Sequence, residues 1–281
     1  MAKRRKKNRF RWLVCLAITA ALIYLYRQPV SEALKTRLPA TTTQPAVEKA
    51  KPVNILLPAP LTNVPELILQ RKGYTVSYNR QRKVPNWVAW ELTRDKLKER
   101  ESRTDKFLPD PDLDESEAVT TDDYKRSGWD RGHMCPAGDN RWHWKAMQES
   151  FYMTNICPQN HNLNRGDWKE LEEACRQWAK KEGRLYIVCG PVFSGKKPRT
   201  IGKQHRIAVP DAFFKVILCA DSRPPKAIGF VYKNESGNRP MKMYANSVDD
   251  VERLTGIDFF PALPDEVERK VEGKYDLGVW K

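Results

Sequence analysis

Several features that would assign a function at once are missing from this chain. None of its six cysteines stands in a C-x-x-C pair, which removes zinc knuckles and thioredoxin-type sites. No segment recurs at a period of about 20–50 residues, so solenoids and propellers are excluded. Histidine is scarce, with four in 281 residues. The uncharged apolar run from Trp12 to Tyr26 has fifteen residues, short for a helix that crosses a full bilayer. Asp110, Asp112 and Asp114 imitate the start of a calcium loop. The sixth place holds Glu115 instead of Gly, however, and the twelfth holds Thr121 instead of Glu. The stretch Phe107 to Tyr124 therefore reads as a solvated acidic loop.

What is present is apolar enough to fold. A hydrophobic content of 40% and an aromatic content of 10% suit one core rather than a disordered chain. The net charge is +15. The opening "MAKRRKKNRFR" carries seven Lys/Arg and no acid, and without it 43 basic residues still face 35 acidic ones. Such a surface attracts polyanions, nucleic acid first among them. A basic cluster before an apolar run has the pattern of a signal-peptide core or a short signal anchor, with the basic side cytoplasmic. No A-x-A cleavage site follows at once, which favours an uncleaved anchor. Val14 before Cys15 argues against a lipoprotein site. The expected organisation is a basic tail (1–11), the apolar segment (12–26), a linker (27–53) rich in Pro, Thr, Ala and Lys, and a folded domain (54–281). The domain is expected to be exported, tethered to the membrane through the N-terminal segment or secreted. The oligomeric state is not readable from the sequence. Cys135, Cys157, Cys175, Cys189 and Cys219 lie beyond the apolar run. In an exported domain they allow one or two disulfides with one thiol left over.

Alternation in "GYTVSYN" and then "NWVAWELT" predicts a hairpin, and "RLYIVCGPVF", "FFKVILCA" and "KAIGFVYK" predict central strands. Trp168, Leu171, Ala174, Cys175 and Trp178 recur at helical spacing, with Gly183 as the stop. "SVDDVERLTGIDFF" predicts a second helix with Ser247 as N-cap. Strands and helices mix without regular βαβ alternation, which points to an α+β fold.

Phosphodiester hydrolysis needs a base to activate water, cations to offset charge on the transition state, and stabilisation of the leaving oxygen, often by a hydrated divalent metal. Those parts occur in two clusters. One is Asp130-Arg131-Gly132-His133, and the other holds Asn155, Gln159, Asn164, Glu172 and Arg176. Glu172 and Arg176 are spaced to share a helix face, as an ordinary surface pair would be or as a functional one. Asn164 stands where the helix should begin, which suits a cap or a ligand. A strand pair carrying His133 and a helix carrying Asn164 can bracket one phosphate.

"DRGH", followed by "TNICPQ" and "LNRGDWKELE", resembles the DNA/RNA non-specific endonucleases of the ββα-metal superfamily, the endonuclease G-like group. The resemblance covers roughly residues 56–265 and includes "YTVSYNRQRKVPNWVAWELT" and "YIVCGPVF". It implies a central, mainly antiparallel sheet flanked by helices. It also implies a Mg²⁺-dependent endonuclease, with Mn²⁺ as a substitute, cleaving DNA and RNA to 5′-phosphate and 3′-hydroxyl ends. By position, His133 would be the general base and Asn164 the one direct metal ligand. Glu172 would hold metal-bound water, and Arg131 and Arg176 would bind phosphate and developing charge. Asn155 would orient His133 or the phosphate, and Arg103 would add a further phosphate contact. Asp130 would support the backbone and Arg131. His143, His161 and His205 match no role in the family. Met134 and Cys135 after the His are departures. A buried free thiol is favoured over a reactive one, because no second His is placed to activate Cys135. A Cys135–Cys157 disulfide is a further expectation, since both follow site residues by two positions. The alternatives are a non-catalytic nucleic-acid-binding module on the same scaffold, and a nuclease restricted to one type of nucleic acid.

Overall fold

In a computed structural model, residues 56–195 and 197–280 are described. The segments read as basic tail, signal anchor and linker lie outside the described residues, as does Cys15. Eleven strands are seen among the described residues: β1 Leu67–Gln70, β2 Thr75–Asn79, β3 Val84–Thr93, β4 Asp130–His133, β5 Ile156–Gln159, β6 Arg184–Val192, β7 Thr200–Ile201, β8 Ile207–Ala208, β9 Ala212–Cys219, β10 Lys226–Lys233 and β11 Ala245–Asn246. The helices are α1 Trp144–Ser150, α2 His161–Arg165, α3 Asp167–Glu182, α4 Val248–Thr255 and α5 Asp265–Glu272.

Seven strands form one antiparallel sheet in the order β1-β2-β3-β6-β9-β10-β11. The expected hairpin is β2–β3, with a bulge at Ser77/Tyr78. Both faces of this sheet are covered, so β9 is apolar at nearly every position rather than at alternate ones. Phe213 and Ile217 face one layer, where α3 packs with Trp168, Leu171 and Cys175. Phe214, Val216 and Leu218 face the other, where α4 and α5 pack with Val248, Val251 and Val271. Each large apolar side chain buried this way contributes roughly 1.5–3 kcal/mol.

Helix α3 ends at Gly183, whose φ of +94° favours glycine. Helix α4 starts with the expected Ser247 cap, whose hydroxyl accepts from the Asp250 N–H while Asp250 reaches back. Asn164 is not the cap of the long helix. It lies within α2, a short helix capped by Asn160, which accepts from the Asn162 and Leu163 N–H groups. Gly166 separates α2 from α3.

Two other expectations are corrected here. The acidic stretch is not simply solvated. Asp110 is buried and bonded to Arg71 and Thr154, and Asp123 is buried against His205. Buried carboxylates without partners would be costly, and folding supplies the partners from distant segments. The Cys135–Cys157 disulfide is also absent: Cys135, Cys157, Cys175, Cys189 and Cys219 are all buried free thiols. Burial pushes the Cys135 and Cys157 thiols well above the usual range, which keeps them protonated and unreactive.

Candidate active site

Strands β4 and β5 form a separate two-stranded ribbon that pairs Arg131 with Pro158 and His133 with Ile156. The ribbon needs glycine at 132, because a Cβ there would meet the Gln159 side chain at 2.1 Å. His133 ends β4. Its ring packs edge-on against Phe151 at 4.7 Å and against Phe107 at 5.3 Å. Its Nε2 is buried with no hydrogen-bond partner among the described residues. Burial, and then the charges of Arg103 and Arg131, lower its pKa from 6.5 to about 3. The imidazole is therefore neutral across the physiological range.

Arg131 and Arg103 are exposed and form no ion pair among the described residues. Each is instead laid over an aromatic ring, Arg131 at 4.3 Å over Phe107 and Arg103 at 5.5 Å over Phe151. Their guanidinium groups stay available to an anion beside His133.

Helices α2 and α3 supply the other wall. Asn164 donates through Nδ2 to Asp130 Oδ2 at 2.9 Å. This leaves its Oδ1 as a hard oxygen donor without a hydrogen bond among the described residues. Asp130 also meets His161 at 3.1 Å. Burial opposes the Asp130 charge, but the bonds from Asn164 and His161, with the charges of His161 and Arg165, prevail and hold its pKa low. Asp130 thus orients Asn164 rather than Arg131.

Glu172 is half-buried on α3. Burial raises its pKa to about 7 against the opposing pull of Lys215, Arg176 and Arg103, with Asp139 adding to the rise. Arg176 lies one turn on, but it does not pair with Glu172. Its Nη1 donates to Asp139 Oδ1 at 3.1 Å, and Asp139 also accepts from Trp90 Nε1 at 3.0 Å. Gly138 leaves room for this, since a Cβ there would stand 3.1 Å from Arg176 Nη1.

Asn155 departs from its expected role. It is fully buried, and its side chain makes no hydrogen bond to the His133 ring among the described residues. Its Oδ1 accepts from the Cys135 N–H at 2.9 Å, and its Nδ2 donates to the Cys135 and Ser150 carbonyls. It therefore pins the backbone that follows His133. Any effect on the imidazole passes through that backbone.

Two charged residues were missed from sequence. Asp139 lies in a short turn whose sequence gives no sign of its burial. Lys215 is fully buried on β9, with its ammonium 4.4 Å from the Trp168 ring and 5.2 Å from that of Trp90. A lysine in the middle of the apolar run "AFFKVILC" was the available signal. Burial would lower its pKa, but the surrounding acidic groups, Glu172 and Asp139 among them, outweigh it and hold Lys215 as an ammonium. The site opens on a groove lined by Phe107, Lys125, Trp129, Arg131, Asn164 and Arg165, which mixes cations with aromatic faces.

A family model described as DNA/RNA non-specific endonuclease matches residues 58–266. The chain is 38% identical to "Nuclease EXOG, mitochondrial" of Danio rerio over 218 residues, which is 71% of this chain and 63% of that protein. It is 36% identical to the protein of the same name from Homo sapiens over 207 residues, 68% of this chain and 56% of that protein. It thus spans little more than half the length of these relatives. A solved structure titled as the EndoG/EndoGI complex, on the mechanism of EndoG inhibition, superposes with a TM-score of 0.65 at 30% identity. That match covers 72% of this chain and 89% of the other. It agrees with the expected ββα-metal fold. The expectation of an exported protein is overturned, because these relatives are mitochondrial by name. No helix among the described residues is long and apolar enough to cross a membrane.

Proposed function

Since the chain belongs to the DNA/RNA non-specific endonuclease family, we propose that it hydrolyses phosphodiester bonds of DNA and RNA with a bound divalent metal, Mg²⁺ or Mn²⁺. The observation that carries this reading is the neutral His133 beside two unpaired arginines. A neutral imidazole can take a proton from water, and the arginines can hold the phosphate that the water attacks. With Nε2 buried, Nδ1 is the ring nitrogen that receives the proton. Arg103 and Arg131 bind the non-bridging oxygens, and Arg176, held by Asp139, meets the charge that grows on them.

The residues fit a hydrated hard cation. Asn164 presents one free oxygen, and Glu172 is a carboxylate that accepts no hydrogen bond from another described residue. One protein oxygen with several waters is a usual arrangement for Mg²⁺. When bound, the metal would stabilise negative charge on the leaving oxygen. Asp130 fixes which end of the Asn164 amide faces out, and ionised Glu172 would orient water next to it. Phosphate contacts carry no base information, which supports weak sequence preference. Aromatic faces along the groove would suit unstacked bases of either nucleic acid.

The test incubates the full chain with plasmid DNA and with RNA, in Mg²⁺, in Mn²⁺ and in EDTA, alongside His133→Ala. Cutting of both substrates with metal, lost in EDTA and in the variant, is expected. Binding without cutting defeats the enzymatic reading, and normal cutting by His133→Ala defeats the mechanism.

A further inference from the structure

On the other face of the sheet, α4 and α5 bring Asp249, Glu252 and Glu272 together, with one carboxylate oxygen from each within 4.8 Å of the others. An acidic cluster alone does not define a site, and a second observation points to a ligand here. Glu272 is 5% exposed, and its Oε1 is buried with no hydrogen-bond partner among the described residues. An ionised oxygen without a donor, in a low-dielectric pocket beside two more carboxylates, is strongly unfavourable.

The surroundings make it worse. Asp258 and Glu268 add like charge to Glu252 and Glu272. Glu272 is the last residue of α5, at the negative pole of that helix. The Asp249 carboxylate also approaches this pole: its Oδ2 stands 3.6 Å from where a Cβ on Gly273 would lie. The basic residues of the same helices are turned elsewhere. Arg253 pairs with Asp250, Lys270 pairs with Glu266, and Arg269 donates to the Asp265 carbonyl. Among the described residues, the one hydrogen-bond donor into the cluster is the Phe259 N–H, at 2.7 Å from Glu252 Oε1.

We infer that Asp249, Glu252 and Glu272 form a structural divalent-cation site that ties α4 to α5, separate from the hydrolytic centre and suited to Ca²⁺. Ca²⁺ takes all-oxygen, irregular sets at about 2.3–2.6 Å, so opposed ligands stand about 4.6–5.2 Å apart. The observed spread of oxygens fits within that span. Mg²⁺ requires stricter octahedral geometry and keeps most of its waters. Burial and repulsion push Glu252 up to about 7 and Glu272 up to about 9, and a bound cation would reverse that rise.

The test removes the hydrolytic-site metal first. Thermal unfolding of the full chain carrying Asn164→Ala is followed after chelation and then with rising Ca²⁺. A saturable increase in Tm is expected. Adding Glu252→Gln and Glu272→Gln to that background should abolish the increase and, above about pH 9 where both carboxylates are ionised, raise Tm in chelator, since like charges are removed. Calorimetric titration of Ca²⁺ into otherwise unchanged protein should lose one binding event on Asp249→Asn, a readout independent of the triple variant's folding. No Ca²⁺ response in the Asn164→Ala protein, or an undiminished calorimetric event in Asp249→Asn, overturns the site.

Discussion

Glu172 and Glu252 sit on opposite faces of one sheet, and both keep a proton up to about pH 7. For Glu172, burial raises the pKa while Lys215, Arg176 and Arg103 pull it back. For Glu252, burial is joined by Asp258, Asp249 and Glu268, so like charge pushes the same way. The same apparent acidity thus arises in a cation-rich pocket and in an anion-rich one. A shifted carboxylate identifies a site only when its neighbours are named. On the α3 face the neighbours are cations, which suits an anion, whereas between α4 and α5 they are carboxylates, which suits a cation.

The strongest challenge to that contrast is His133→Ala. Loss of the base should lower the cutting rate about 10²–10⁴-fold, measured on plasmid and RNA. Neutralising the carboxylates between α4 and α5 should leave the rate in Mg²⁺ unchanged. In the parent protein, the acid limb that His133 sets on kcat/KM should fall well below the ordinary histidine value of 6.5, toward 3.

Lys215→Met comes next. It keeps the volume but leaves Glu172 and Asp139 without their buried cation. Removing one partner of a buried charge set costs roughly 3–5 kcal/mol, readable by urea unfolding. The Glu172-dependent limb of the rate profile should also move to higher pH. An unchanged limb would show that Lys215 only packs.

Glu172→Gln separates stability from activity. Folding raises this pKa from 4.5 to about 7, so the proton favours the fold. That contribution is complete below 4.5 and is lost as the pH rises through about 7. At pH 8 the ionised side chain opposes folding, and Gln removes the opposition by an amount on the order of 2 kcal/mol. The variant should therefore melt higher at pH 8 while cutting poorly. Glu252→Gln should stabilise in chelator at the same pH and cut normally, which sharpens the difference between the faces.

The smallest effect on stability is expected for Arg131→Ala, because this side chain has no carboxylate to leave unpaired. Its melting point should stay put, while nucleic-acid binding weakens and the salt dependence loses about one unit of slope. A large drop in Tm would place Arg131 in the structure rather than at the phosphate.

Much of the scaffold was legible in the chain. The hairpin β2–β3, the strands β6, β9 and β10, and the helix α3 follow from apolar period and stop signals. "DRGH" was readable as a ribbon bearing His133, since the second strand, "ICPQ", was close by in sequence. Asn164 neighbours that ribbon as expected, but of the two readings open to it, cap or ligand, the long-helix cap is removed, because Gly166 breaks the helix in a way periodicity does not reveal. Arg176 was matched with Glu172 by spacing alone. Its actual partner, Asp139, comes from thirty-seven residues earlier. Lys215 stands out as the one charge in an apolar run, but the run does not say which acidic groups face it, because Glu172 and Asp139 come from remote segments.

Local order therefore followed from the sequence by itself: where strands and helices run, which short motif carries His133, and how basic the chain is. These depend on neighbours within a few residues, and backbone geometry repeats at fixed periods. Tertiary structure alone decided which charges face each other, which carboxylates keep their protons, and that the cysteines stay apart and reduced. Electrostatic energy depends on distance and burial rather than on position along the chain, and both are set only when remote segments pack together.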